Sequence, residues 1–209
     1  MRDILYAITD SQLLPGDTLF NQVEAALSGG CRWVQYRDKS QNQERRLYES
    51  KKLLDLCNQH GARLIINDDV QLALAVCAHG VHLGQEDGSP MDARQLLGEQ
   101  AIIGVTCHDS LTLAQQALAQ GANYIAFGRF YPSATKPDAR PAPINLIREA
   151  RSLFKHATIV TIGGITLENA QPLLDAGADK LAVSQGLFSA NNIALQTTSF
   201  NQLISNFDP

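Results

Sequence analysis

Short apolar runs alternate with helix-length segments along the whole chain. Eight runs read as strands: Leu5–Thr9, Trp33–Arg37, Leu64–Asn67, Gly80–Leu83, Ile102–Thr106, Tyr124–Gly128, Thr158–Ile162 and Lys180–Ser184. Short apolar runs between helices are what a parallel sheet buried on both faces looks like. The intervening segments carry helical spacing. Leu19, Val23, Ala26 and Leu27 share one face, as do Leu113, Ala114, Ala117 and Leu118 behind an N-cap at Ser110. Glycine recurs where a helix gives way to the next run, at Gly29-Gly30, Gly61, Gly80, Gly121 and Gly177. It is the residue that closes a helix in the left-handed conformation. Val70 to Ala78 is expected to be a helix closed by His79-Gly80, with Asp69 turned away or capping it. Pro172 would cost the next-to-last helix a hydrogen bond unless that helix starts late, capped by Asn169.

Eight β/α units in 209 residues is the minimal size of a closed (β/α)8 barrel. The rival is an open doubly wound sheet, which usually has fewer strands and one switch-point crevice. Here polar clusters follow nearly every strand. That favours an α/β fold of the TIM-barrel type, with a ring-shaped site at the C-terminal ends of the strands. Nothing in residues 1–209 reads as a linker, a low-complexity tract or a second domain, so a single domain is expected. The one long irregular stretch, Tyr131 to Pro141, reads as a loop.

Composition narrows the function. A net charge of −4 and a pI near 5.7 argue against general binding to nucleic acid or acidic membranes. No apolar run approaches the roughly 18 residues of a membrane span. The start Met1-Arg2-Asp3 has no signal-peptide pattern. Cys31, Cys57, Cys77 and Cys107 are widely spaced with no C-x-x-C, and they read as reduced cytosolic thiols, mostly core filler. The expected location is the cytoplasm.

The strand tips carry the chemistry. Asp68 and Asp87 each follow an apolar run, Leu64-Ile65-Ile66-Asn67-Asp68 and Val81-His82-Leu83-Gly84-Gln85-Glu86-Asp87. A hydrophobic strand needs no carboxylate at its tip. Two on neighbouring parallel strands would meet at one rim and make a cation site. Gln35, Arg37 and Lys39 alternate, so they would point the same way at the barrel mouth. Arg offers a planar fork and Lys a point charge, which suits a diphosphate. Mg2+ takes one or two carboxylates plus phosphate oxygens and keeps waters, so a Mg2+–diphosphate site makes better sense than salt bridges alone. Ile162-Gly163-Gly164-Ile165-Thr166 before a helix is a second anion site, paired with Ser184-Gln185 after the last strand. Ser133-Ala134-Thr135-Lys136 follows the sixth strand, and Thr106-Cys107-His108 the fifth. His82 lies inside an apolar strand and reads either as a core residue or as a ligand. Trp33 and Phe127 read as core. Zinc-type clusters, a nucleophile elbow, a Walker loop and G-x-G-x-x-G are all absent from the sequence.

Two phosphate-type sites and a metal site across one barrel mouth describe an enzyme joining a diphosphate substrate to a monophosphate. Together, Tyr6-Ala7-Ile8-Thr9-Asp10, Val34-Gln35-Tyr36-Arg37-Asp38-Lys39, Ile65-Ile66-Asn67-Asp68-Asp69, Gly80 to Asp87, Thr135-Lys136 and Ile162 to Thr166 resemble thiamine-phosphate synthase. The resemblance runs from about Tyr6 to Phe188. It implies a cytoplasmic (β/α)8 barrel that condenses 4-amino-2-methyl-5-(diphosphooxymethyl)pyrimidine with a thiazole phosphate. The products are thiamine phosphate and pyrophosphate, and the cofactor is Mg2+. By matching positions, Gln35, Tyr36, Arg37, Asp38, Lys39 and Asn67 would bind the pyrimidine diphosphate, and Asp68 and Asp87 the Mg2+. Thr106 would touch the pyrimidine side. Ser133, Ala134 and Thr135 would line the thiazole phosphate and Lys136 the diphosphate, with Gly164, Ser184 and Gln185 completing the phosphate site. Arg37, Lys39 and Lys136 would stabilise the leaving pyrophosphate. The family is thought to ionise the C–O bond first, so no strong base or nucleophile is required.

Three positions depart from the family pattern. Thr106 stands where Ser is usual and Ser133 where Thr is usual, and both keep the hydroxyl. Gln185 replaces a usual Ser, which is tolerable if that contact is a backbone N–H. A thiazole tautomerase shares the fold and the Gly-Gly site, but it would have no use for Asn67-Asp68, Asp87 and Thr135-Lys136. A non-catalytic thiamine-phosphate binder would not need both carboxylates. A sugar-phosphate isomerase would need a positioned acid/base pair, and none stands out. The expected partners are small-molecule substrates, with no nucleic acid or membrane, and a homo-oligomer is compatible with the reading.

Overall fold

The computed structural model describes residues 3–132 and 141–203. Eight parallel strands close into a barrel in sequence order: β1 (Leu5–Ile8), β2 (Trp33–Tyr36), β3 (Arg63–Asn67), β4 (Gly80–Leu83), β5 (Ile102–His108), β6 (Tyr124–Gly128), β7 (Thr158–Ile162) and β8 (Lys180–Val183). The helices between them are α1 (Thr18–Ser28), α2 (Gln43–Gln59), α3 (Val70–Val76), α4 (Pro90–Leu97), α5 (Leu111–Ala119), α6 (Asn145–Leu153) and α7 (Gln171–Asp175). A short α8 (Gln185–Phe188) and a closing α9 (Ile193–Asn201) follow β8. This is the expected (β/α)8 barrel.

The strands split their side chains between two cores, because successive residues point to opposite faces. Leu5, Val34, Leu64, Val81, Ile103 and Phe127 join the larger cluster that packs against the helices. Tyr6, Ile8, Ile65, Tyr124, Ala126, Val160 and Ala182 form a smaller one that fills the barrel interior, with Trp33 against it. There Tyr6, Trp33 and Tyr124 pack edge-to-face with centroids 5.4–5.9 Å apart. Gly104 makes room for them: a Cβ there would lie 1.8 Å from Cζ of Tyr124. Lys180 plugs the floor, its ammonium 4.7 Å above the Trp33 ring and 3.0 Å from Asp3.

The N-terminal face is fastened by polar clamps. Arg151 donates to the carbonyls of Lys155, Ala157 and Gly177 and pairs with Asp179, whose Oδ2 accepts the Ile159 N–H. Arg94 and Asn123 repeat that arrangement beneath β5 and β6. Asn201 of α9 accepts the N–H groups of Ile4 and Leu5, which ties the closing helix to β1.

Local expectations hold at Ser110 and Asp69, whose side chains accept the N–H of Leu113 and Leu72 as N-caps. Cys31, Cys57 and Cys107 are buried free thiols, whereas Cys77 is exposed. Two helix ends differ from expectation. The helix α3 stops at Val76, and Cys77 takes the left-handed closing conformation at φ 57°. Gly80 is instead the first residue of β4, where a Cβ would sit 1.9 Å from the Ile102 carbonyl oxygen. The helix α7 does start late, with Pro172 in its first turn, but Ala170 holds the cap position. Asn169 has another task, described below.

Candidate active site

The two carboxylates meet. Asp68 follows β3 with φ 63°, a left-handed conformation that a short polar side chain tolerates better than most. Its N–H donates to the His82 carbonyl on β4 at 2.8 Å, so the turn is pinned to the neighbouring strand. Asp87 lies in the loop after β4 and folds back, its Oδ2 accepting the Gly84 N–H at 2.8 Å. The Asp68 and Asp87 carboxyls are within hydrogen-bonding reach of each other, and the Lys39 ammonium pairs with Asp68. Burial pushes both carboxyls up. At Asp68 burial is the largest single influence, but the hydrogen bonds from Lys39 and Asp87 and the Lys39 charge together outweigh it and hold the group below the usual carboxylate range. At Asp87 burial and the adjacent Asp68 together hold it above. Two carboxylates in contact, one of them raised, concentrate negative charge at one point of the rim.

The pair opens onto a cleft of about 500 Å3 that Asp38, Lys39, Asn67 and Glu86 also line. Among the described residues no group of three or more His, Cys, Asp or Glu side chains is placed to hold a metal. Two carboxylates with the remaining positions left to phosphate oxygens and water is a donor set that Mg2+ would fit.

The alternating row on β2 is divided by depth. Gln35 points into the barrel, is 2% exposed, and donates to the Tyr6 hydroxyl at 2.9 Å. Arg37 is half-buried at the rim, 3.8 Å from Asp10, with its N–H on the Thr9 hydroxyl. Lys39 is the outermost, its side chain 60% exposed. Tyr36 and Asp38 point the other way. The Tyr36 hydroxyl donates to Glu49 of α2 at 2.6 Å, and Asp38 pairs with Arg45 and accepts the Ser40 N–H at 2.8 Å. Their side chains brace the β2–α2 connection, and Asp38 also borders the cleft beside Lys39.

Opposite, Gly163 and Gly164 have φ 105° and 62°. Both also sit under the chain leaving β6. A Cβ on Gly163 would lie 2.2 Å from the Arg129 Cβ, and one on Gly164 2.2 Å from the Pro132 carbonyl oxygen. Asn169 staples this loop: Oδ1 accepts the Thr166 N–H at 2.8 Å and Nδ2 donates to the Gly164 carbonyl at 2.9 Å. The Tyr131 hydroxyl donates to the Asn169 carbonyl at 2.7 Å. Ser184 and Gln185 open α8 beside the same loop, since a Cβ on Gly186 would meet the Ile165 carbonyl oxygen at 2.2 Å. Gln185 is exposed, and the Ser184 Oγ is buried with no partner among the described residues.

Thr106 on β5 bonds through its hydroxyl to His82 Nε2 at 2.8 Å, and its carbonyl accepts Gln85. His82 is thus a hydrogen-bonded residue of the barrel interior. His108, beyond a register shift in β5, is exposed. Ser133, Ala134, Thr135 and Lys136 lie outside the described residues. Sequence reasoning missed Tyr6 and Tyr124, read as strand hydrophobics, and Asn169 and Tyr131, whose role depends on a loop neighbour. The only available signal was a phenol or an amide placed where an apolar residue would have served.

Comparison with known proteins gives the family and the fold. The sequence model of the thiamine monophosphate synthase family matches residues 5–187. A thiamine-phosphate synthase of Marinobacter nauticus is 53% identical over 211 aligned positions, covering 100% of this chain and 94% of that protein. A solved thiamine phosphate pyrophosphorylase from Pyrococcus furiosus superposes with a TM-score of 0.86 at 32% identity, covering 96% of this chain and 95% of the other. A geranylgeranylglyceryl phosphate synthase from Thermoplasma acidophilum, with TM-score 0.72 and 13% identity over 99% of this chain and 94% of the other, shares the fold.

Proposed function

The chain belongs to the thiamine monophosphate synthase family, and we propose that it joins 4-amino-2-methyl-5-(diphosphooxymethyl)pyrimidine to a thiazole phosphate, releasing pyrophosphate and thiamine phosphate. The observation that carries this reading is the contact between Asp68 and Asp87 beneath Lys39. The pair suits an ion that is itself held by a diphosphate, and a phosphate-binding barrel working by isomerisation has no need of it.

In this reading the C–O bond to the diphosphate breaks first, and the thiazole nitrogen captures the pyrimidine-methyl cation. The enzyme's task is to stabilise the leaving group. Lys39 is well placed for this, because its long exposed side chain can pass from Asp68 to a diphosphate oxygen. Arg37 adds a second cation at the rim, and the family reading assigns Lys136 to the same diphosphate. Asp68 and Asp87 would hold Mg2+, whose contribution is to neutralise charge on the departing pyrophosphate. Losing one such electrostatic contact typically costs ~3 kcal/mol, about a hundredfold in rate.

The thiazole phosphate would sit against Gly164 and the backbone of Ser184 and Gln185 where α8 begins. A contact to the Gln185 backbone there survives the change from Ser. The family reading adds Ser133 and Thr135 to that subsite. Asn67 and Thr106 would hold the pyrimidine side. No helix among the described residues is long and apolar enough to cross a membrane, and small molecules are the proposed partners.

The test is direct. Purified protein is mixed with both substrates and Mg2+, with and without EDTA, and thiamine phosphate and pyrophosphate are measured. Both products should form, and EDTA should abolish them. No thiamine phosphate in the presence of Mg2+ overturns the assignment, and turnover unaffected by EDTA overturns the metal site.

A further inference from the structure

Five polar side chains form one unbroken line across the barrel interior. Gln35 Nε2 donates to the Tyr6 hydroxyl at 2.9 Å, and the Tyr6 and Tyr124 hydroxyls are 2.9 Å apart. The Tyr124 hydroxyl lies 2.8 Å from His82 Nδ1, and His82 Nε2 lies 2.8 Å from the Thr106 hydroxyl. The line runs from β2 through β1, β6 and β4 to β5. Its middle is sealed, with Tyr6 1% and Tyr124 0% exposed. Its two ends are residues assigned above to the substrate.

The direction of the protons follows from counting donors. Burial pushes both phenols well above the ordinary tyrosine range, so each keeps its hydrogen. A buried O–H needs an acceptor. The Gln35 amide nitrogen has no lone pair to offer, so the Tyr6 hydrogen goes to Tyr124. The Tyr124 hydrogen then goes to His82 Nδ1. The imidazole therefore carries its hydrogen on Nε2 and gives it to the Thr106 oxygen. Thr106 has now accepted, and its own hydrogen is free to point at a ligand. At the other end Gln35 spends one of its two N–H groups on Tyr6, which fixes the orientation of the amide and leaves its Oε1 to accept.

We infer that Tyr6 and Tyr124 are positioning residues that lock the polarity of this line, so that the site meets its substrate with a fixed acceptor at Gln35 and a fixed donor at Thr106. An aminopyrimidine is complementary to such a pair, with N–H hydrogens on its exocyclic amine and lone pairs on its ring nitrogens. Tyr124 is held for the task by its stack on His82, with centroids 5.5 Å apart and planes at 20°, and by the space that Gly104 leaves. The identity of the ligand rests on the proposed function, whereas the order of the protons belongs to the free protein. A reversed Gln35 amide would reverse every bond and place the hydrogen on Nδ1.

Two-bond 1H–15N imidazole spectra of the full-length, ligand-free protein test this, with the His82 signal identified by its loss in His82→Gln. The expected result is an Nε2–H tautomer in the wild type and in Tyr6→Phe, and a mixed or Nδ1–H pattern in Tyr124→Phe. An Nδ1–H wild type, or a Tyr124→Phe spectrum identical to it, overturns the inference. In turnover assays Tyr124→Phe should raise KM for the pyrimidine diphosphate about tenfold, with kcat within about threefold and KM for the thiazole phosphate unchanged. A rise in both KM values or in neither overturns the positioning role. If the wild type makes no thiamine phosphate, the proposed function fails while the spectra still decide the proton order. If Tyr124→Phe does not fold, the wild-type and Tyr6→Phe spectra decide it.

Discussion

Gly84→Ala perturbs the acidic pair without removing either carboxylate. A Cβ on Gly84 would stand 2.6 Å from Asp87 Oδ2, the atom that the Gly84 N–H now holds at 2.8 Å. Gly84 is not in a left-handed conformation, so alanine brings no backbone strain. The carboxylate must retreat by about 0.8 Å to reach ordinary contact. Asp87 is short and tethered at both ends of its loop, so it cannot yield without leaving Asp68. A misplacement of about 1 Å at a reacting constellation can cost ~100-fold, or ~2.7 kcal/mol of transition-state stabilisation. Stability should hardly move. The Gly→Ala change gains about 0.4–1 kcal/mol through the unfolded chain, and the weakened hydrogen bond gives back about 1 kcal/mol. The measurement is kcat/KM across a Mg2+ titration, beside a thermal melt. The expected outcome is a hundredfold loss that more Mg2+ partly restores, with Tm shifted by no more than about 4 °C. A folded variant within about threefold of wild type would refute the reasoning, because Asp87 would then tolerate displacement no ligating group tolerates.

Asp87→Asn keeps the side chain's shape and its bond to Gly84 but removes the charge; turnover should fall by about a hundredfold or more while stability holds or rises, and near-wild-type activity would remove Asp87 from the metal site. Asn169→Ala frees the Gly163-Gly164 loop from two hydrogen bonds worth about 1 kcal/mol each, so KM for the thiazole phosphate should rise about tenfold and KM for the pyrimidine diphosphate should not. Equal effects on both substrates would argue against a phosphate role for that loop. Arg151→Ala strips the clamp on the N-terminal face and should cost about 3 kcal/mol in urea unfolding, with kcat per folded molecule unchanged because active sites of this fold lie at the opposite face. A loss of kcat would show that the two faces are coupled.

The strands were legible because each is a local apolar run bounded by turn residues: β4, β6 and β7 match the expected span at both ends, and β1, β2, β3 and β8 differ from it by one residue at one end. β5 overshoots because a register shift that passes over Cys107 lets His108 pair with Phe127 of β6. The end of α3 was misplaced for a related reason. Glycine at position 80 looked like a helix stop, but its small size is demanded by the Ile102 carbonyl on the next strand, a contact between residues far apart in the chain. The alternation rule put Gln35, Arg37 and Lys39 on one side and by the same logic leaves Tyr36 and Asp38 on the other. What the rule could not supply is that Glu49 and Arg45 of α2 wait there to receive them.

By itself the sequence determined the eight-unit pattern and the families of polar groups at the strand tips, since each of these is written in neighbouring residues. Only the tertiary structure decided that Asp68 and Asp87 touch, that Gly163-Gly164 lies beneath the β6 exit, and that two phenols and an imidazole link Gln35 to Thr106. Those are relations across the closed barrel. They depend on strand register and on which side chains fill its interior, and a shift of one residue in register would turn every one of them to the opposite face.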